Sequence, residues 1–174
     1  MSDEVRYSIS KTYTKQQLID QYRFVNIEFD DWHQPTTDSY AHILQREGWE
    51  VGQHNIYFSG FGSQGDGACF TGSYIGNVIT PKWVKLAIEE GDLHIDVATT
   101  GSRYQHEKSV VISWECSTEI EDAVLKLVQK LDVRRIKLCR DLYNNLEALY
   151  TYYTSDEQVW DWVVDNVLSD YKEI

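Results

Sequence analysis

The stretch that decides the fold reads Phe58-Ser59-Gly60-Phe61-Gly62-Ser63-Gln64-Gly65-Asp66-Gly67-Ala68-Cys69-Phe70. The apolar residues on either side of its glycines, Ile56-Tyr57-Phe58 and Ala68–Tyr74, have the composition of two buried strands. Glycine adopts backbone conformations that other residues adopt only at a cost, and a chain reversal needs such conformations. We therefore predict a strand–loop–strand element here, within an α+β fold.

The rest of the chain supplies more strands and a helical end. From Thr118 the apolar residues keep a period near 3.6, which predicts one helix of about 50 Å or two helices that bend near Asp132. Ser155 and Gln158 have the spacing that begins a last helix. We predict a single domain over 1–174, with an antiparallel sheet of about five strands, helices packed on one face and a long C-terminal helical segment. The further predicted strands are Val5–Ser10, Leu93–Thr99 and Tyr104–Cys116.

The composition excludes several classes of protein. Hydrophobic residues make up 42% of the chain and charged residues 25%, which is close to the globular average. The three cysteines are odd in number and lack C-x-x-C spacing, which argues against a disulfide framework and against structural zinc. The N-terminus has no apolar signal segment, and no apolar run has the length that crosses a bilayer. A cytoplasmic protein is expected.

The formal net charge of −12 is the strongest feature of the composition. From Asp141 onward, eight acidic residues stand against one basic residue, Lys172. Such residues can be solvated helix faces, or they can form an acidic surface that imitates a nucleic-acid backbone and occupies a partner. Direct contact with nucleic acid or with an anionic membrane is not expected, because like charges repel.

The predicted last helix carries the candidate partner-binding residues. Trp160 and Trp162 are two positions apart, so both cannot face the core of one helix, and one should be exposed or should cover another element. Ordinary packing is the alternative explanation. The predicted partner-binding residues are Asp156, Glu157, Trp160, Asp161 and Asp165.

The glycine-rich loop is the second candidate site. Successive backbone amides in such a loop can bind an anion, while a wide hairpin turn or bulge would explain the same glycines without a ligand. The loop lacks the lysine of a phosphate-binding P-loop and the context of a dinucleotide fingerprint. Catalytic residues, metal ligands and cofactors are not predicted, because the five histidines are scattered. The predicted ligand-binding residues are Ser63, Gln64, Gly65, Asp66 and Gly67.

Two segments carry a resemblance to a group of small proteins encoded by bacteriophages, prophages and plasmids. The run Phe58–Phe70 resembles that group's motif F-S-G-F-x-S-Q-G-D-G-A-x-F. The run Leu146–Glu157 is similar to its L-E-x-x-Y-x-Y-x-T-S-D-E segment. The resemblance implies a mobile-element setting in the cytoplasm of a host cell, and some members of the group have an antitoxin-type label. It implies no catalytic residues.

Three functions are compatible with these observations, and none of them is enzymatic. The first is a phage-encoded inhibitor or modulator that binds a host protein, such as a defence or nucleic-acid-processing enzyme, through its acidic surface. The alternative is a protein that binds or sequesters a small nucleotide-like anion with the glycine-rich loop. The third is an antitoxin-type protein. The oligomeric state is not predicted.

Overall fold

The computed structural model describes residues 5–8, 11–28, 31–61, 66–101 and 105–173. The chain divides into two compact units: Met1–His33 with Ala148–Ile174, and Gln34–Glu147. The first is called the terminal unit below and the second the central unit. Whether 1–174 behaves as one domain stays a prediction.

Helices and strands alternate irregularly along the chain. The strands are β1 Arg6–Ser8, β2 Thr12–Thr14, β3 Trp49–Glu50, β4 Ile56–Ser59, β5 Gly67–Phe70, β6 Gly72–Tyr74, β7 Leu93–Thr99, β8 Val110–Cys116 and β9 Lys172–Glu173. The helices are α1 Lys15–Gln21, α2 Val25–Glu28, α3 Gln34–Arg46, α4 Lys82–Glu89, α5 Glu121–Tyr153 and α6 Asp156–Asn166.

The terminal unit is built around contacts between α1 and α6. A capping box begins α1, where the Thr14 hydroxyl accepts from the Gln17 backbone N–H at 3.1 Å and the Gln17 side chain accepts from the Thr14 backbone N–H at 2.9 Å. The two helices bury a small apolar core against each other, and the antiparallel strands β2, β1 and β9 lie in that order in one sheet. The core residues are Leu18, Ile19, Val159 and Val163.

The central unit contains a four-stranded antiparallel sheet in the order β3-β6-β7-β8 and a separate hairpin of β4 and β5. Strand β7 buries Leu93, Ile95 and Val97, whereas the alternate residue His94 is exposed, so one face of the sheet is covered. In the β4–β5 hairpin, Ser59 lies opposite Gly67.

The prediction of α+β architecture with antiparallel strands and a long C-terminal helix is confirmed, but the prediction of one sheet of about five strands is wrong. The strands are distributed over three sheets. One reason is that β1 pairs with β9 from the other end of the chain. The other is that β3 and β9, of two residues each, are too short to show an alternating pattern.

Helix α5 is one continuous helix of 33 residues, without a break at Asp132. Its apolar pattern is interrupted at Arg135, which is only 4% exposed. The Arg135 guanidinium donates from Nε to Asp132 Oδ1 and from Nη1 to the Glu107 carbonyl, both at 2.8 Å. These bonds satisfy the buried charge and keep the helix regular. Within the described ranges, no helix combines the length and the apolar character needed to cross a membrane.

Candidate functional site

The predicted partner-binding residues all lie on α6, which begins after the cap Ser155. Glu157, Asp161 and Asp165 are exposed and follow each other at intervals of four residues. Residues four apart in a helix lie on the same face, about 6 Å apart along the axis. The three carboxylates therefore form a line on the solvent side of α6, here called the acidic stripe.

Asp161 and Asp165 of the acidic stripe oppose the stability of their own helix, whereas Glu157 lies in the first turn, where a carboxylate is favourable. Like charges four residues apart repel each other. Asp165 lies in the last turn, where the carbonyl ends of the helix are already negative and a carboxylate is unfavourable. The sequence of α6, DEQVWDWVVDN, contains no basic residue that would compensate. Local helix stability therefore does not explain why Asp161 and Asp165 are present.

Asp156, at the start of the same helix, has a different environment. Its carboxylate is paired with the guanidinium of Arg23, which also pairs with Asp20 and donates to the Thr154 carbonyl at 3.0 Å. The hydrogen bond from Arg23, followed by that from Gln16, lowers the pKa of Asp20. Asp156 thus joins the start of α6 to the segment that follows α1 within the terminal unit, and it shares the single positive charge of Arg23 with Asp20.

A groove of about 800 Å³ runs beside α6 in the terminal unit and is here called the α6 groove. The indole of Trp160 forms part of its wall, with its ring centroid 5.8 Å from that of Tyr7. The ammonium of Lys15 lies 4.9 Å from the centre of the Trp160 ring. The described lining consists of Val5, Tyr7, Thr14, Lys15, Gln16, Ile19, Asp156, Glu157, Trp160 and Asp161.

These groups favour a cation. The face of an indole attracts an ammonium or guanidinium group, and Lys15 already uses this attraction within the chain. Glu157 and Asp161 provide carboxylates on the same side of the groove, and a guanidinium group can pair with a carboxylate through two parallel hydrogen bonds. The α6 groove can therefore hold an arginine or lysine side chain of another molecule.

The structure brings four of the five predicted partner-binding residues into the α6 groove and leaves Asp165 farther along α6. Trp160 and Trp162 are both half-buried and each packs on a tyrosine, with Trp162 at 5.5 Å from the Tyr22 ring. The sequence did not identify Tyr7 or Lys15 as parts of this site. The capping box locates the start of α1, but no local signal indicates that α1 packs on α6.

The glycine-rich loop lies only partly within the described residues: Ser63, Gln64 and Gly65 fall outside them. Gly67 begins β5, and a Cβ atom there would stand 2.2 Å from the His106 Cβ, so close packing explains this glycine. The pKa of Tyr143 is raised to about 12. Burial of its hydroxyl is the main cause, and the hydrogen bond to Glu147 and the negative charges of Glu147 and Asp66 act in the same direction. The negative charge at this end of the hairpin is unfavourable for a phosphate.

The polar groups that the structure describes around Ser73 and Cys69 in the central unit do not form a nucleophilic centre. Asp96 accepts from the Ser73 hydroxyl and pairs with His94 Nε2, each at 2.6 Å. The Asp96 carboxylate lies between the His94 imidazole and the Ser73 hydroxyl. The imidazole is therefore not in a position to accept the proton of Ser73. Cys69 is fully buried, and burial raises the pKa of its thiol to about 11, which disfavours the thiolate. The part of the chain that the structure describes contains no cluster of three or more metal-ligating side chains.

Comparison with known proteins gives one result. No curated protein and no solved structure matches the chain significantly. A family profile matches residues 32–156, a span that contains the whole central unit and ends at the first residue of α6. Most of the α6 groove lies outside this span. The chain belongs to the family described as a domain of unknown function, DUF8835.

Proposed function

We propose that this protein functions by binding a basic surface of a partner protein through the acidic stripe and the α6 groove. The observation that carries the proposal is the exposed line of Glu157, Asp161 and Asp165, of which Asp161 and Asp165 add nothing favourable to their own helix, beside a tryptophan that already binds a cation. Charged residues that weaken their own helix and stabilise no other part of the fold are expected at functional surfaces. The role is binding, without an enzymatic step.

The class of partner follows from the charge pattern. A line of carboxylates about 6 Å apart presents regularly spaced negative charge, as a nucleic-acid strand does. A protein that binds a nucleic-acid backbone has the complementary row of arginine and lysine side chains. We therefore propose a host nucleic-acid-processing or defence enzyme as the partner, in the host cytoplasm, in keeping with the resemblance to mobile-element proteins.

A matched pair of triple variants tests the proposal. Glu157→Gln, Asp161→Asn and Asp165→Asn together remove three charges from the stripe without changing side-chain size. The control removes three charges from an exposed part of the central unit, with Glu89→Gln, Glu90→Gln and Asp92→Asn. Wild type and both variants are used to capture proteins from a bacterial lysate, and each captured protein is then purified and its affinity measured at several salt concentrations.

We expect the stripe variant to lose roughly tenfold or more in affinity and the control to bind like wild type. Wild-type binding should weaken as salt rises, and DNA should compete for the same partner. Equal affinity of the stripe variant and wild type for every captured protein would refute the role of the stripe.

The other two functions have less support. An antitoxin would also bind a protein, and the same capture would identify a toxin as its partner. For an anion held by the glycine-rich loop, the described groups Asp66 and Gly67 provide a negative charge and a tightly packed backbone, and neither favours a phosphate.

A further inference from the structure

A second cavity, of about 410 Å³, lies in the central unit and shares no described lining residue with the α6 groove. The β4–β5 hairpin and the segment that follows it contribute Tyr57 and Thr71, and the end of the β7–β8 pair contributes Val97, Ala98, Thr99 and Val110. Gln105 completes the described lining. All of these residues fall within the span matched by the family.

The glycine-rich motif holds this cavity in place. The backbone N–H of Gln105 donates to the Ser59 hydroxyl at 3.0 Å, and the Gln105 side-chain oxygen accepts from the Cys69 thiol at 3.6 Å. Ser59 and Cys69 belong to the two strands of the motif hairpin. Val97 and Val110, which are 2% and 3% exposed, provide a rigid apolar part of the wall. The motif thus has a specific role, which is to fix Gln105 against its hairpin.

The described lining residues carry no formal charge, so the cavity suits an uncharged ligand. Its volume is at the small end of the range for ligand pockets. Tyr57 offers an aromatic ring, and the two valines offer flat aliphatic surface. Such a combination favours a planar ring system over a flexible chain, because a rigid ring loses less conformational freedom on binding.

Three described lining residues carry a hydroxyl, namely Tyr57, Thr71 and Thr99, and the two threonine hydroxyls indicate which polar atoms the ligand carries. The Thr71 hydroxyl accepts from Asn55 Nδ2 at 3.2 Å, and the Thr99 hydroxyl accepts from the Gly101 backbone N–H at 3.1 Å. A hydroxyl that accepts one bond still has its own hydrogen to donate. The two threonines therefore offer two O–H donors, and a matching ligand has at least two acceptors, such as ring nitrogens or carbonyl oxygens.

We propose that this cavity binds an uncharged, planar heterocycle of nucleobase or nucleoside size. The carbonyl oxygens and ring nitrogens of such a compound match the two hydroxyl donors, and its ring packs against Tyr57 and the valines. The site is independent of the α6 groove and of the partner-binding function proposed above. It also differs from an anion site in the glycine-rich loop. In the cavity the ring of the ligand is recognised, and we expect a phosphate group on the ligand to add nothing to the affinity.

The test uses four probes: uridine, adenosine and their 5′-monophosphates. Binding to the full chain is followed by protein NMR and by calorimetry, up to about 1 mM ligand. Ala98→Trp places a large side chain at an exposed position of the cavity wall, and Val133→Trp is the control at an exposed position on α5. Thr71→Val is a milder variant that removes one donor while the size of the side chain stays the same.

We expect at least one nucleoside to bind and its monophosphate to bind no more tightly. Ala98→Trp should abolish binding, Val133→Trp should leave it unchanged, and Thr71→Val should weaken it by roughly threefold to tenfold. The proposal is overturned if neither nucleoside binds, if Ala98→Trp folds and binds normally, or if the monophosphates bind more than tenfold more tightly. Should Ala98→Trp not fold, unchanged binding by Thr71→Val would overturn the proposed donor contact.

Discussion

The ammonium of Lys15 lies 4.9 Å from the centre of the Trp160 ring, so the cation site of the α6 groove is occupied by a residue of the same chain. Lys15 is the first residue of α1 and is exposed, which allows it to leave the ring without disturbing the core. A cation–π contact at an exposed site contributes only about 0.5–1 kcal/mol. A guanidinium group that also pairs with Glu157 or Asp161 can therefore replace it.

We predict that Lys15→Met strengthens the binding of a basic partner. The variant removes the competing cation, leaves an apolar side chain over the groove and makes the site more negative by one charge. Affinity should rise by roughly twofold to fivefold, the equivalent of the lost cation–π contact. Titration of an octa-arginine peptide, followed by calorimetry, measures the change.

Lys11→Met is the matched control, because Lys11 is also exposed and its replacement changes the net charge equally. If both variants strengthen binding to the same degree, the effect is one of net charge, and the competition by Lys15 is disproved.

The two ends of α6 should respond in opposite ways to loss of a carboxylate. Asp165→Asn removes a negative charge from the last turn and should raise the free energy of unfolding by about 0.5 kcal/mol. Asp156→Asn removes a favourable charge from the first turn and breaks the ion pair with Arg23, so it should lower that free energy. Thermal and urea unfolding of the two variants show whether each free energy of unfolding rises or falls relative to wild type. A destabilised Asp165→Asn variant would show that Asp165 has a structural role.

The features that the sequence predicted correctly depend on residues close together in the chain. The capping residue Ser155 begins α6 because its hydroxyl bonds to a backbone amide three residues on. Strand β7, predicted over Leu93–Thr99, needs only the local alternation of buried and exposed residues.

The features that the sequence did not predict depend on residues that are far apart in the chain. Strand β9 exists because it pairs with β1, and two residues alone show no pattern. The residues of the candidate site also divide into those that are close in the chain and those that are far apart. Its acids and Trp160 were visible on a single helix, while Tyr7 and Lys15 join them only through the packing of α1 on α6. Such contacts come from tertiary structure, which local propensity does not encode.

Gly67 should be intolerant of any side chain. A Cβ atom at this position would meet the Cβ of His106 at 2.2 Å and its Cα at 2.9 Å, so the strand or the facing loop must move. Gly67→Ala should lower the free energy of unfolding by about 1–3 kcal/mol, as overpacking does. In Gly52→Ala the new Cβ would meet only a side-chain oxygen of Asn55, at 3.2 Å, and the loss should be much smaller. Urea unfolding compares the two variants, and equal losses would contradict the packing explanation.

The ion pair between Glu107 and Arg140 should make stability depend on pH on the acid side. The Arg140 Nε atom donates to Glu107 Oε1 at 3.2 Å. Burial opposes ionisation of this carboxyl, but its own backbone N–H and Arg140 outweigh that effect, and the pKa of Glu107 is lowered. A carboxyl with a lowered pKa contributes stability above its ordinary pKa, and the contribution is lost as the pH falls through the folded value.

Glu107→Gln should therefore destabilise the protein at pH 7, and its effect should shrink as the pH falls through the lowered pKa of Glu107 in the folded protein, where the carboxyl of the wild type becomes protonated as well. Urea unfolding of wild type and variant at a series of pH values gives the difference in free energy. Glu90→Gln, at an exposed position, is the control for the loss of one negative charge. A Glu107→Gln effect that stays constant from pH 7 to pH 3 would mean that the side chain acts through its packing and that its charge makes no contribution.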